Sequence, residues 1–522
     1  MSLQLQNSQL PIYRLPPELL TSIFLYARDL AGYRKRSRSA LILSGVSSHW
    51  REVALSNPAI WTFLDIAGED VVDALLTRSR GAKLTIDLWG DSPDDFIPIL
   101  KELYRLESLT MFCPEIDIDE GDVMPDDTLL RPHWSQPAPY LRKLSINNFP
   151  IPPNPFNNAS PALRKVELVW CAFDWDAFPF SNLTTLHIVC PDDLISPAHF
   201  LQKLQQMPLL EQLELEGVLL GTDGPGTGRL KLPHLSRMDI PLVDAGTLLD
   251  FLQRICIPAT AHICVRPDDC GDMAPEIITE LRACLDGESK KLRKFRLDAY
   301  TNALTVDAIP ILPTPKDRNG HTPLLHGSFV DWQLDRSVAD ELFQYYDFSG
   351  LTELTLHSDE QELSHDVWTT TFTPLLQLAV LDLEGVFAIS FINHFSRSAR
   401  LISDLLPTDT TIEDAARGEL RDKMIFPSLK KLLLNRKSPF GGGAEIDIDR
   451  KWPGEFGMFR FVLGMRWLIG CGIQELKVMR FWLSTQEIAD LERTVDKLTY
   501  EKTWGLDTPV GNSEADSDSD DG

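Results

Sequence analysis

Leu141-Arg142-Lys143-Leu144-Ser145-Ile146 opens a stretch in which one short phrase keeps returning. It recurs as Leu163-Arg164-Lys165-Val166-Glu167-Leu168, Leu183-Thr184-Thr185-Leu186-His187-Ile188, Leu210-Glu211-Gln212-Leu213-Glu214-Leu215 and Leu235-Ser236-Arg237-Met238-Asp239-Ile240. The five starts are 22, 20, 27 and 25 residues apart. The fourth and sixth positions are apolar with a polar residue between them, which is the alternation of a strand with one buried face. A single phrase of this kind carries little information, because any amphipathic strand makes it. Five at this spacing describe a repeat, each unit too small to bury its own apolar row and stacked on its neighbours to do so.

Outward from this stretch, the phrase also fits Leu106–Met111, recurs at Leu292, Leu351, Leu378 and Leu429, and returns loosely at Ile473. The intervals 235–292, 292–351 and 378–429 are about double length, so either further strands fill them, Ala261–Val265 and Ser328–Trp332 being candidates for the first two, or loops are inserted there. Phrase and period resemble leucine-rich repeats, although the Asn that commonly follows the phrase in regular repeats is missing. The resemblance implies an irregular solenoid over residues 66–504, with parallel strands on its concave side and helices on its convex side. Pro197–Gln206, Ala245–Arg254, Pro275–Leu285 and Ser337–Tyr346 are the expected helices. The fold class is therefore α+β or α/β.

Ahead of the repeats, Leu15-Pro16-Pro17-Glu18-Leu19-Leu20 starts a helix whose first turn suits proline. Leu19, Leu20, Ile23, Phe24 and Ala27 follow at helical spacing, and Leu41, Leu43, Val46, Trp50, Val53 and Ala54 make a second stripe. About fifty residues cannot bury that much apolar surface among themselves, so part of it is expected to meet another protein. The segments LPPELLTSIF and SGVSSHWREVALSNPAIW resemble the F-box, in the variant with a long loop between the first two helices found in fungal, basidiomycete-type, F-box proteins. Val46-Ser47-Ser48-His49-Trp50 keeps both apolar anchors of the family's pattern but lacks its basic pair. The resemblance covers residues 11–63, within an expected module of 11–65, and implies that Leu15, Pro16, Leu19, Ile23, Phe24, Val46 and Trp50 dock a Skp-type adaptor. Through it the chain would reach the cullin of a ubiquitin ligase, while the repeats present a protein substrate.

Composition narrows the alternatives. A formal charge of −26, from 76 acidic and 50 basic residues, repels phosphate backbones and anionic lipid, so no nucleic-acid or membrane partner is expected. The best apolar run, Phe461–Ile473, is short and holds Arg466. Eight cysteines without a Cys-x-x-Cys pair, behind an N-terminus with no apolar signal region, point to reduced thiols in cytoplasm and/or nucleus. The basic run Arg28–Arg38 reads as a solvated loop or, less favoured, an import signal. Past Val510 the chain has no apolar anchor, and 505–522 is expected to be a disordered acidic tail.

No catalytic constellation is present in the sequence: there is no His-Glu-x-x-His, no nucleophile elbow and no Walker loop, and no cofactor is implied. Cys256, Cys264, Cys270 and Cys284, near Asp268, Asp269 and Asp272, form the nearest approach to a metal cluster, yet they lack close ligand pairs and read as core thiols. Asp117, Asp119, Glu120 and Asp122 have the wrong spacing for a calcium loop. Substrate selection falls instead to the outward fifth position of each phrase. Glu167, His187, Glu214 and Asp239 there would favour a basic protein segment. The expected function is a non-catalytic substrate receptor. Two other readings stand beside it, a repeat scaffold whose helical module engages no ligase, and an enzyme whose site is assembled from distant residues.

Overall fold

The computed structural model describes residues 11–32, 35–65, 68–90, 93–113, 131–191, 193–222, 228–258, 261–268, 273–286, 292–300, 303–310, 325–330, 348–358, 363, 367–372, 374–403, 424–436 and 456–501. The chain is a mixed α/β protein that divides into two compact units, Met1–Glu288 and Ser289–Gly522.

The first unit begins with helices α1 (Pro17–Leu30), α2 (Arg36–Gly45) and α3 (Ser48–Ser56). Pro17 occupies the first turn of α1, where its missing N–H costs nothing. The Ser47 side chain caps α3 by accepting the Trp50 amide at 3.2 Å. After α3 the chain enters a sheet through β1 (Phe63–Leu64), and a fourth helix, α4 (Glu69–Ser79), leads to β2 (Leu84–Trp89). There follow β3 (Leu106–Phe112), β4 (Lys143–Asn147), β5 (Lys165–Val169), β6 (Thr185–Val189) and β7 (Gln212–Glu216). Two residues of β8 (Leu230–Lys231) precede β9 (Arg237–Asp244), β10 (Ile255–Pro258), β11 (His262–Asp268) and β12 (Leu285–Asp286).

Strands β1 to β7, then β9 and β11, pair side by side in chain order, every pairing parallel. The short strands β8, β10 and β12 form a separate parallel sheet. Each phrase aligns with the next residue for residue, so Leu144, Val166, Leu186, Leu213 and Met238 lie in one row. All five are at most 1% exposed, and the leading leucines Leu141, Leu163, Leu183, Leu210 and Leu235 are equally buried. The same two connections recur at each step. The amide of the third residue donates to the carbonyl of the preceding phrase's second residue, as in Lys165 to Arg142, Thr185 to Arg164 and Gln212 to Thr184, all at 3.0 Å. Beyond the strand, Asn148, Trp170 and Cys190 take left-handed backbone (φ 54°, 49° and 42°) and extend the ladder by one bond each, to Val169, Val189 and Glu216. The corresponding residue after β7 is Gly217, where an added Cβ would approach the Cys190 sulfur to 3.1 Å.

Helices return the chain only in part of this unit. α5 (Pro197–Leu204), α6 (Ala245–Gln253) and α7 (Ala274–Ala283) lie where the sequence places them, the first two capped by Ser196 and Asp244. Between β4 and β5 and between β5 and β6 there is no α-helix. In the first of these, Pro150, Pro152, Pro153 and Pro155 withhold the amides a helix would need, and both segments pack as loops around aromatic rings instead. Phe173, Trp175, Phe178 and Phe180 form such a cluster, which Phe200 of α5 joins at 5.8 Å from Trp175.

The second unit departs from a parallel array at its start. β13 (Leu292–Tyr300) turns back directly into β14 (Ala303–Pro310), and β15 (Leu325–Val330) pairs with β14, both antiparallel. The double-length interval 292–351 thus holds a meander in place of a further parallel repeat, and the candidate strand Ser328–Trp332 falls partly in β15. From β13 the parallel order resumes through β16 (Glu353–Ser358), β17 (Val380–Gly385), β18 (Lys431–Asn435), β19 (Glu475–Met479) and β20 (Lys497–Glu501). Helices α8 (Val386–Ser403), α9 (Phe456–Leu468) and α10 (Thr485–Glu492) accompany them, the last opened by a Ser484–Glu487 capping box. Arg466 of α9 is fully buried and donates to the carbonyls of Ile425, Phe426 and Leu429 at 2.7, 2.8 and 3.4 Å. Burial lowers its pKa to about 10. The expected helix Ser337–Tyr346, the acidic loop 117–122 and the tail 505–522 lie outside the described residues. No helix among the described residues is long and apolar enough to cross a membrane.

Candidate functional site

Two surfaces of the first unit carry the residues singled out from sequence. The first is the helical module. Its apolar stripe on α1 splits into two columns. Leu20, Phe24 and Arg28 point inward and are buried, while Leu19, Ile23, Tyr26 and Leu30, at i, i+4, i+7 and i+11, are 41–68% exposed. On the α2 side Ile42 and Val46 are also exposed. Pro16 is exposed, and Leu15 and Trp50 are half-buried.

Phe24 therefore does not belong to a contact surface: it is fully buried, and its ring lies 4.9 Å from that of Trp50. It supports the exposed column from beneath. Trp61 closes the module's core, its indole donating to the Ala54 carbonyl at 2.7 Å. Arg28 likewise leaves the solvated loop expected of it. Its guanidinium bonds the carbonyls of Ala59 and Ile60 and lies 4.6 Å from the Phe63 ring, with Arg36 at 4.5 Å from that ring. Those two cations are tied into the fold, which removes them from an import signal. Tyr26, Leu30 and Ile42 were not singled out from sequence. The signal for the first two was present, since they continue the Leu19–Ile23 column at i+7 and i+11, but it is hidden when Leu19, Leu20, Ile23 and Phe24 are counted as one stripe.

The second surface is the sheet face opposite the leucine rows. In register along the fifth position stand Ser145, Glu167, His187, Glu214 and Asp239. They form a connected line. The Ser145 hydroxyl donates to Glu167 at 3.0 Å, and His187 sits between two carboxylates, its Nδ1 3.7 Å from Glu167 and its Nε2 3.5 Å from Glu214. Asp239 ends the line differently. It is 6% exposed and paired with Arg237 at 3.4 Å, so burial takes it out of a surface that a partner could reach directly.

Two residues along each strand, other rows flank this line. Lys143, Lys165, Thr185, Gln212 and Arg237 run on one side. Trp89, Phe112, Asn147, Val169 and Val189 run on the other, with Trp89 and Phe112 stacked at 4.0 Å. This row, apolar except at Asn147, was invisible in a phrase that stops at its sixth position.

Among the described residues no group of three or more His, Cys, Asp and Glu side chains is placed to hold a metal ion. Cys270, Asp269 and Asp272 lie outside them. The thiols of Cys264 and Cys284 are pushed up to about 12, chiefly by burial, and stay protonated at neutral pH. Comparison of the sequence with protein-family models and with curated proteins gives no match in either.

Proposed function

We propose that this chain is a substrate receptor of a Skp-cullin-RING ubiquitin ligase, non-catalytic itself, whose F-box-like helical module binds a Skp-type adaptor while a leucine-rich-repeat-like sheet captures a protein substrate. The observation that carries the reading is the exposed column Leu19, Ile23, Tyr26 and Leu30 on α1, with Ile42 and Val46 nearby in sequence. Four large apolar side chains held on one face of a helix have no role in the module's own core. Burying such side chains against a partner returns about 25 cal/mol per Å² of apolar surface, and aromatic residues such as Tyr26 are common anchors. The phrase spacing and the in-register rows support the repeat reading, and the polar line of the sheet face supports its use in recognition.

The test is co-purification of the full chain with a Skp-type adaptor and cullin. The unmutated protein should recover both. Ile23→Asp or Val46→Asp, which would bury an unpaired charge in the contact, should lose them without a change in melting curve. Failure of the unmutated chain to bind the adaptor would favour the scaffold reading, in which the module engages no ligase.

A further inference from the structure

The sheet face of the first unit is not uniformly acidic. It is banded. Lys143 and Lys165 lie exposed in neighbouring register in one row, Glu167 and Glu214 in the next, and Trp89, Phe112, Asn147, Val169 and Val189 in the third, apolar except at Asn147 and followed by Glu216. Trp170, one residue beyond the third row, is exposed and held by a left-handed backbone turn. Adjacent rows are separated by two strand residues, about 6.6–7 Å, and adjacent strands by about 4.8 Å. The row from Trp89 to Val189 therefore runs about 19 Å across the five strands from β2 to β6, apolar on four of them and interrupted by Asn147 on β4, and Glu167 and Glu214, two strands apart, stand about 10 Å from one another.

These dimensions choose between forms of ligand. An extended segment laid across the strands advances about 3.4 Å per residue with side chains alternating, so residues on its one face repeat at about 7 or 14 Å and miss a 10 Å spacing. An α-helix brings i and i+7 to one face at about 10.5 Å, and about thirteen residues of it span the apolar row. Its stripes lie several ångström apart around a cylinder about 10 Å wide, comparable to the step between rows.

Resting on the proposed role of this face in substrate capture, we infer that it receives an amphipathic helix of the substrate lying across the strands. The helix sets an apolar stripe on Trp89, Phe112, Val169 and Val189 and a flanking line of Lys or Arg, spaced i and i+7, against Glu167 and Glu214. What is read is the order of the bands and not the net charge of the partner. The lysine row beyond the Glu line disfavours a seating in which the basic line of the helix is shifted one step outward, by placing like charges opposite each other.

The test uses synthetic helical peptides of about twenty residues and the full chain, with fluorescence anisotropy as readout. One peptide carries a Leu/Phe stripe flanked by Arg at i and i+7, a second the same stripe flanked by Glu, and a third the Arg line with alanine in place of the stripe. The first should bind at least about tenfold more tightly than either other. In the chain, the combined exchange Lys143→Glu, Lys165→Glu, Glu167→Lys and Glu214→Lys leaves net charge unchanged and should reverse the preference to the Glu-flanked peptide. Glu167→Gln with Glu214→Gln, which preserves shape, should weaken the Arg-flanked peptide by about tenfold and serves if the exchange variant does not fold. Equal binding of the three peptides, an unreversed preference in the folded exchange variant, or an unchanged affinity in the Gln variant overturns the inference. No adaptor takes part in these titrations, and adaptor recovery by the same variants reports separately on the ligase reading.

Discussion

The leucines of the repeats and the apolar residues of the helical module meet opposite fates. In the repeats every apolar position of the phrase from Leu141 to Ile240 is buried. In α1 only alternate columns are, with Leu20 and Phe24 inside and Leu19, Ile23, Tyr26 and Leu30 outside. Stacked repeats satisfy each other, so their apolar content measures the core. A three-helix module has too little volume to do the same, and the column it leaves in water is where the proposed adaptor would dock.

The comparison breaks most easily at its buried side. Leu213→Ala removes a side chain that is 1% exposed from the middle of a leucine row and should cost about 2–5 kcal/mol in denaturant unfolding. A cost below about 1 kcal/mol would mean that the rows are loosely packed and that burial there says little about core.

Arg466 in the second unit is next in size. It is a buried cation that donates to three carbonyls, and Arg466→Met should cost about 1–3 kcal/mol by removing those bonds, the Phe426 carbonyl keeping only the Leu429 amide. A neutral outcome would show that the loop around Phe426 does not depend on it.

Two carboxylates of that unit's sheet sharpen the contrast between paired and unpaired groups. Burial alone would push the Asp298 carboxyl up, but hydrogen bonds from His357 and Arg296 outweigh it, and the group titrates below the ordinary carboxylate value. Its contribution to stability is present above that ordinary value and is lost as pH falls through the lower folded one. Asp298→Asn should therefore cost about 1.5–3 kcal/mol at pH 7 and progressively less as the solution is acidified past the carboxylate range. Asp382 shifts the other way, raised first by burial and also by Glu384, against the pull of His357 and Arg296. Its ionised form is a liability above the ordinary carboxylate value, and stability recovers as pH falls through the raised one. Asp382→Asn should accordingly raise the melting temperature at pH 7 and lose its advantage in acid. A lowered melting temperature at pH 7 would contradict that assignment.

How much of this was legible in the sequence follows from the same physics. The rows could be read because strand alternation and repeat spacing are properties of the residues themselves, and the register that aligns Glu167, His187 and Glu214 follows once the phrases are superposed. The antiparallel meander at Leu292–Val330 could not, since pairing direction depends on where a chain turns and not on the period of its side chains. Nor could the burial of Asp239 or Phe24. Both sit at positions whose pattern permits exposure, and only the neighbouring elements decide which column of a helix or which end of a row is covered. The left-handed residues Trp170 and Cys190 gave no signal at all, because glycine or asparagine is the expected occupant of that backbone.

The smallest effect on stability belongs to the exposed column. Tyr26→Ala or Leu30→Ala should change unfolding free energy by no more than about 0.5 kcal/mol, well below Leu213→Ala, because both side chains are about two-thirds exposed. If either unfolded the protein, the column would be core and the contrast with the repeats would vanish.

Hydrogen exchange on the full chain with and without a Skp-type adaptor tests the central claim most directly. The account predicts that the adaptor slows exchange across residues 17–46, the span from α1 to Val46, and leaves the strands from β4 to β7 unchanged. No protection anywhere, or protection confined to the sheet, would contradict it.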